Sequence, residues 1–250
     1  MPNVVFTIDC EGAHHDRCFT PNYIKVFESE FVPATWLIHV SMKDPSANTN
    51  LYYHEFVHKI PSWHEQGMKV NFENERGYVE DPKERGNILW IAKDTLKSHM
   101  IKATAFRAGA FALLPSDIKY LDEIGVLVDS SIVPDAEYKM FVDWHGAPHE
   151  PYHSDPEDLK KEGSNKVLHI PVATHAGKHG YLDAGFESLL PLFEANMKRE
   201  VICLGLRDYH DSVEDLTKTI KYFREKGAHF TTLTQAASEH YEHHAALAGV

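Results

Sequence analysis

Short apolar runs alternate with longer stretches of helical periodicity along the chain. The runs "VVFTID", "ATWLIHV", "MKVNFE", "ATAFRAG", "GVLVDSS", "KVLHIPV", "VICLGL" and "AHFTTL" are rich in β-branched and aromatic residues. They are short enough to be buried strands. Between them, "TPNYIKVFESEF" predicts a helix with Thr20 as N-cap and Pro21 in its first turn. "LPSDIKYLDEIG" and "SVEDLTKTIKYFREKG" show apolar residues at helical spacing and end in Gly, and "DPKERGNILWIAKDTLKSHM" is a further helix candidate. Repeated strand-then-helix implies parallel strands joined by crossover helices. The pattern therefore predicts an α/β fold, a distorted barrel of seven or eight β/α units, in one domain over residues 1–250. Residues 132–166, rich in Pro, His and charge, read as a long loop with little regular structure.

Polar residues interrupt the apolar pattern where the strands end. "FTIDCEG" closes the first run with Asp9 and Glu11. "MKVNFENE" carries Lys69, Asn71 and Glu73 in alternation, which places the three side chains on one face of a strand. "AFRAGAF" brings Arg107, a fixed cationic fork suited to a carboxylate. "VLVDSS" brings Asp129, "THAGKHG" brings His175 and His179, and "LRDYHD" brings Arg207, Asp208 and His210. In a parallel barrel the loops at the C-terminal strand ends surround one pocket, and chemistry collects there. Burying two carboxylates without partners is costly, so Asp9 and Glu11 call for cationic neighbours. Trp144, within the irregular loop, is the aromatic assigned to the pocket rim.

Composition narrows the classes. The formal net charge is -12, which argues against nucleic acid or an anionic membrane as the main partner. No apolar stretch reaches the length of about 20 residues that a membrane span needs, and the N-terminus lacks the pattern of a signal peptide. Three Cys without paired spacing argue against a disulfide framework or a structural zinc cluster, so the expected compartment is the reducing cytoplasm. His240, His243 and His244 fall in the C-terminal tail, which reads as a solvated helix end.

These segments, in this order, resemble the NodB-like polysaccharide deacetylases of carbohydrate esterase family 4. "FTIDCEG" is similar to the family's first motif in its Asp-x-Glu form, and "PATWLIHV" to its second strand. "HEQGMKVNFENE" resembles the segment that usually carries two metal-binding His. "FRAGAF" with "LDEIGVLVDSSI" resembles the Arg motif and the strand after it, "PYHSDPEDLKKEGSNKVLHIPV" the later loop and strand, and "GAHFTTLTQ" the closing segment. The resemblance covers nearly the whole chain. It implies a barrel and metal-dependent hydrolysis of an N-acetyl or O-acetyl group. Asp9 would be the general base on a metal-bound water and Arg107 its partner. The late-strand acid would be His210, with Arg207 as the other candidate for that position.

The family's His positions are replaced here by Lys69 and by Asn71 or Glu73. Zinc favours imidazole or thiolate. Glu11, Asn71 and Glu73 would form an oxygen-rich site for a harder divalent ion. His14 and His15, just past the first strand, could also rebuild a metal site. A metal-free arrangement is the alternative: Lys69 projects between Asp9 and Glu11, neutralises them and stays charged. Three functions are compatible with these residues. The first is a hydrolase of a C–N (N-acyl) or ester bond in a sugar-derived or other small polar substrate. The second is a divergent enzyme without metal, using Asp9, Glu11, Lys69 and His210. The third is a carbohydrate-binding pseudoenzyme. The substrate side would include Asn71, Glu73, Trp144, His175, Arg207 and Asp208. The expected partner is a small molecule or carbohydrate, in the setting of surface-polysaccharide biosynthesis.

Overall fold

A computed structural model describes residues 2–12, 17–137 and 141–248. All eight apolar runs become strands: β1 (Asn3–Cys10), β2 (Thr35–Val40), β3 (Glu65–Val70), β6 (Ala105–Ala108), β7 (Val128–Asp129), β9 (Leu168–His169), β12 (Val201–Arg207) and β13 (His229–Thr231). Three further pieces are short. β4 (Glu73–Asn74) and β5 (Gly77–Tyr78) form one hairpin, β10 (Thr174–His175) and β11 (Lys178–His179) another, and β8 (Tyr152–His153) lies at the sheet edge. The described residues of 132–166 otherwise hold to the expected irregular course.

The main sheet runs β12-β1-β2-β3-β6-β7-β9-β8, parallel except at its last pair. One side of β1 is shared by two partners: Asn3 to Val5 pair with β13, and Thr7 to Cys10 pair with β2. The sheet curls until the chain after β9 meets β12. Closure there rests on isolated bridges, Val172 to Cys203 and Tyr181 to Gly205, backed by hydrogen bonds from Ala173 N–H to Cys203 O and from Gly205 N–H to Gly180 O, both 2.8 Å. This weak seam is what distorts the barrel. Gly205 permits it, because a Cβ there would fall 2.5 Å from the Tyr181 ring.

Helices cover the outside: α1 (Thr20–Glu30), α2 (Asn50–Glu55), α3 (Pro82–Ser98), α4 (Pro115–Glu123), α5 (Phe186–Asn196), α6 (Val213–Glu225) and α7 (Leu233–Ala248). Alternation along β1 divides its side chains between the two layers. Phe6 faces α1, its ring 5.7 Å from that of Phe27, while Thr7 and Asp9 point into the barrel. One boundary differs from expectation. Phe19 is the residue before α1, and Thr20 does not cap it, because the Thr20 hydroxyl donates to the buried Asp208 carboxylate at 3.0 Å. α5 is not announced by the sequence pattern, since Pro191 lies inside it and obscures its periodicity. No helix among the described residues is long and apolar enough to cross a membrane.

Candidate active site

Strand register assembles the site. Asp9 of β1 lies beside Arg207 of β12, and Lys69 of β3 beside Arg107 of β6. All four stand at the C-terminal ends of adjoining strands around a cavity of about 380 Å³. Glu11, Asn71, Glu73, Tyr78, Phe111, Phe141, Tyr181 and Tyr209 complete most of its wall.

At the floor, the Lys69 ammonium bridges two acids. Its Nζ donates to Asp9 Oδ2 at 2.8 Å and pairs with Glu11 Oε2 at 3.1 Å. Arg107 Nη1 donates to Asp9 Oδ1 at 3.0 Å, and the Tyr181 hydroxyl donates to Asp9 Oδ2 at 2.8 Å. Asp9 is therefore engaged on both oxygens. Burial alone would push its pKa up, but Lys69, Arg107 and the hydrogen bonds outweigh it and hold the carboxyl well below its usual range. Burial likewise disfavours the Lys69 charge, yet Asp9 and Glu11 raise its pKa and keep it an ammonium. Burial pushes the Tyr181 phenol well up, so it remains a donor.

Arg107 is locked from below. Its Nε donates to Ser130 O at 2.7 Å, Nη2 to Ser130 Oγ at 2.9 Å and Nη1 to Thr7 Oγ1 at 2.8 Å. A fully satisfied guanidinium in the barrel centre fixes Asp9, and Asp9 fixes Lys69. Glu11 differs. Its side chain is 15% exposed against 3% for Asp9, and it borders the cavity. It is the reachable acid of the pair.

Asn71 and Glu73 also reach the cavity, although β3 ends at Val70 and the strict alternation stops with it. Gly109 makes room for Asn71, since a Cβ there would lie 1.6 Å from Asn71 Oδ1. Arg207 borders the cavity with its charge directed at Asp183. Asp208, by contrast, is wholly buried behind the wall. It accepts from Glu11 N–H at 2.8 Å and from the Thr20 hydroxyl, so it positions Glu11 rather than touching a ligand. Burial pushes its pKa up to about 7.

Three expected site residues stand away from this wall. His210 is half-exposed and 3.9 Å from Asp183. His175 is exposed on the β10–β11 hairpin, beside a separate surface hollow. Trp144 is buried, not on the rim, because its indole N–H donates at 3.0 Å to the carbonyl of Phe111 and braces that loop from behind. Asp129 ends β7 in a buried chain with His169 (2.8 Å), which continues to Ser154 (2.9 Å); all three are inaccessible to solvent, so this chain is structural. His14 and His15 lie outside the described residues. Sequence reasoning missed Tyr181, Tyr209, Phe111 and Phe141. Tyr181 precedes no strand end, and only the seam with β12 brings its hydroxyl to Asp9.

The residues present do not fit the divalent cation that the resemblance implies. Lys69 Nζ occupies the space between Asp9 and Glu11, and Glu73 pairs with a different ammonium, Lys43, at 3.4 Å. Glu11, Asn71 and Glu73 thus do not converge on a common point free of positive charge.

No family model matches the sequence, and no curated protein does. Solved structures do. A putative polysaccharide deacetylase from Mycobacterium smegmatis superposes with a TM-score of 0.65 at 15% identity, over 95% of this chain and 89% of that one. The fold is that of the NodB-like deacetylases. A carbohydrate esterase family 4 pseudoenzyme from Bacillus anthracis shares this NodB-like fold, with a TM-score of 0.56 at 12% identity over 94% of this chain and 64% of that one. So does a 4-alpha-glucanotransferase from Thermococcus litoralis, with 0.59 at 14% over 95% and 38%. The NodB-like barrel thus carries more than one chemistry, and function has to be argued from the site.

Proposed function

We propose that this chain is a deacetylase-like hydrolase that cleaves an N-acyl or ester bond of a small sugar-derived substrate without a divalent cation. The observation that carries the reading is the Lys69 ammonium placed between Asp9 and Glu11. Its fixed charge supplies, in a buried site, the electrostatic stabilisation that a developing oxyanion needs. Asp9, engaged by three donors, orients Lys69 and is not free to take a proton. Glu11 is the group able to do so. It takes a proton from the attacking water and returns it to the departing nitrogen or oxygen, so one carboxyl serves as base and then acid. This assigns to Glu11 the proton delivery otherwise expected of His210, which stands off the cavity wall. The size of the cavity suits one sugar-sized ring, and Tyr78, stacked on Phe141 at 4.0 Å between ring centres, offers an apolar flank to it.

The neighbours support the substrate class: they include a putative polysaccharide deacetylase and a peptidoglycan N-acetylglucosamine deacetylase. A second reading, a carbohydrate-binding pseudoenzyme, is favoured by the engagement of both Asp9 oxygens. The test is acetate release from acetylated amino sugars and sugar esters in the presence of a chelator. Turnover that survives the chelator and is lost in Glu11→Gln supports hydrolysis. Sugar binding without turnover in the wild type supports the pseudoenzyme instead.

A further inference from the structure

Away from the cavity, two imidazoles on one face of α7 meet a carboxylate at the base of the barrel. His240 and His244 are one helical turn apart, and their ring centres lie 4.2 Å from each other. Glu200 immediately precedes β12, at the N-terminal end of the strand whose other end carries Arg207. His240 Nδ1 is 2.8 Å from Glu200 Oε1, and His244 Nε2 is 3.9 Å from Glu200 Oε2. One ligand atom from each of the three residues falls within 4.8 Å of the others. We propose that Glu200, His240 and His244 form a binding site for a divalent transition metal of the zinc class.

Three physical points carry the assignment. The first is the donor set. Two imidazoles and one carboxylate suit zinc, and they leave a further position for water. The second is spacing. Ligands about 2.0–2.1 Å from a tetrahedral zinc lie roughly 3.3 Å apart, and the two observed separations to Glu200 bracket that value, so modest side-chain rotations suffice. The third is preorganisation. The His240 side chain is only 11% exposed and that of Glu200 28%, while His244 is 58% exposed and gives an ion an entry path. Glu200 is itself anchored through its backbone. Its N–H donates to Glu150 Oε2 at 3.0 Å, and its carbonyl accepts from Asn3 N–H at 2.9 Å. A bound ion would pin the second half of α7 to the start of β12, so the site is structural and independent of the chemistry at Lys69.

The test is calorimetric titration of zinc chloride into chelator-stripped full-length protein. One ion should bind per chain. His244→Ala, an exposed position where folding tolerates the change, should weaken binding by at least the ten- to hundredfold or so that loss of even an outer partner costs. Glu200→Gln should weaken it too. His54→Ala, an exposed imidazole on α2 away from α7, should leave it intact. Zinc should also raise the thermal midpoint of the wild type but not of His244→Ala. No binding by the wild type, equal binding by His244→Ala, or equal loss in His54→Ala would each overturn the assignment.

Discussion

Lys69 Nζ lies 2.8 Å from Asp9 Oδ2, a buried ion pair made across β2, whose register sets Asp9 level with Leu37 and Gly67 and Lys69 two residues further along β3. The same ammonium reaches Glu11. One ammonium therefore neutralises both acids. Removing it exposes two neighbouring carboxylates to each other. Lys69→Met is expected to cost about 3–5 kcal/mol of stability, the range for breaking a buried charge pair on one side. Urea unfolding at neutral pH measures this. A loss under about 1 kcal/mol would mean that the pair is solvated.

Tyr181 offers a smaller and cleaner perturbation. Its hydroxyl donates to the ionised Asp9, and hydrogen bonds to charged groups are worth roughly 1.5–3 kcal/mol. Tyr181→Phe keeps the ring against Gly205 and removes the hydroxyl, which donates to Asp9 and accepts from Arg107 Nη1 at 3.1 Å. A stability loss in that range is expected, with slower turnover because Asp9 and Lys69 are less firmly held. A variant as stable as the wild type would show that the donor is dispensable.

Two buried acids respond to pH in opposite senses. Asp9 has a folded pKa below its unfolded value, so its contribution to stability is present above about pH 4 and is lost as pH falls through the folded value. Asp208 is raised to about 7 by burial, so the folded state binds its proton more tightly than the unfolded state does. Its contribution therefore declines as pH rises from about 4 towards 7. Asp208→Asn removes that titration. The wild type should lose stability relative to Asp208→Asn between pH 5 and pH 8, as read by denaturant midpoints. A difference independent of pH would contradict the assignment.

His210 and Trp144 separate wall from surroundings. His210→Ala should leave turnover within about twofold, because a half-exposed imidazole beside Asp183 does not face the cavity. Trp144→Phe should reduce stability through the lost bond to the Phe111 carbonyl, with little effect on ligand affinity. A hundredfold loss of turnover in His210→Ala would return proton transfer to that residue.

The strands were legible because each is a compact apolar run whose last residues turn polar. That same transition marked Asp9, Lys69, Arg107 and Arg207, which the register then brought together. What sequence could not convey was direction and depth. Asp208 comes one residue after Arg207 and so faces the opposite way, into the packing around Thr20. Trp144 looked like a rim residue because its loop is polar, yet its indole found a backbone carbonyl inside. Tyr181 depends on a closure between distant segments that no local pattern announces. In the tail, His243 and His244 are exposed as expected of a solvated helix end, while His240 is largely covered where α7 meets Glu200.

The most direct test of the central claim is zinc titration of the His244→Ala protein with Lys69 intact and with Lys69→His added. The account predicts no binding beside Asp9 while the ammonium is present, and a new site when imidazole replaces it. Zinc bound by the His244→Ala protein with Lys69 in place, and released by Glu11→Gln, would contradict it.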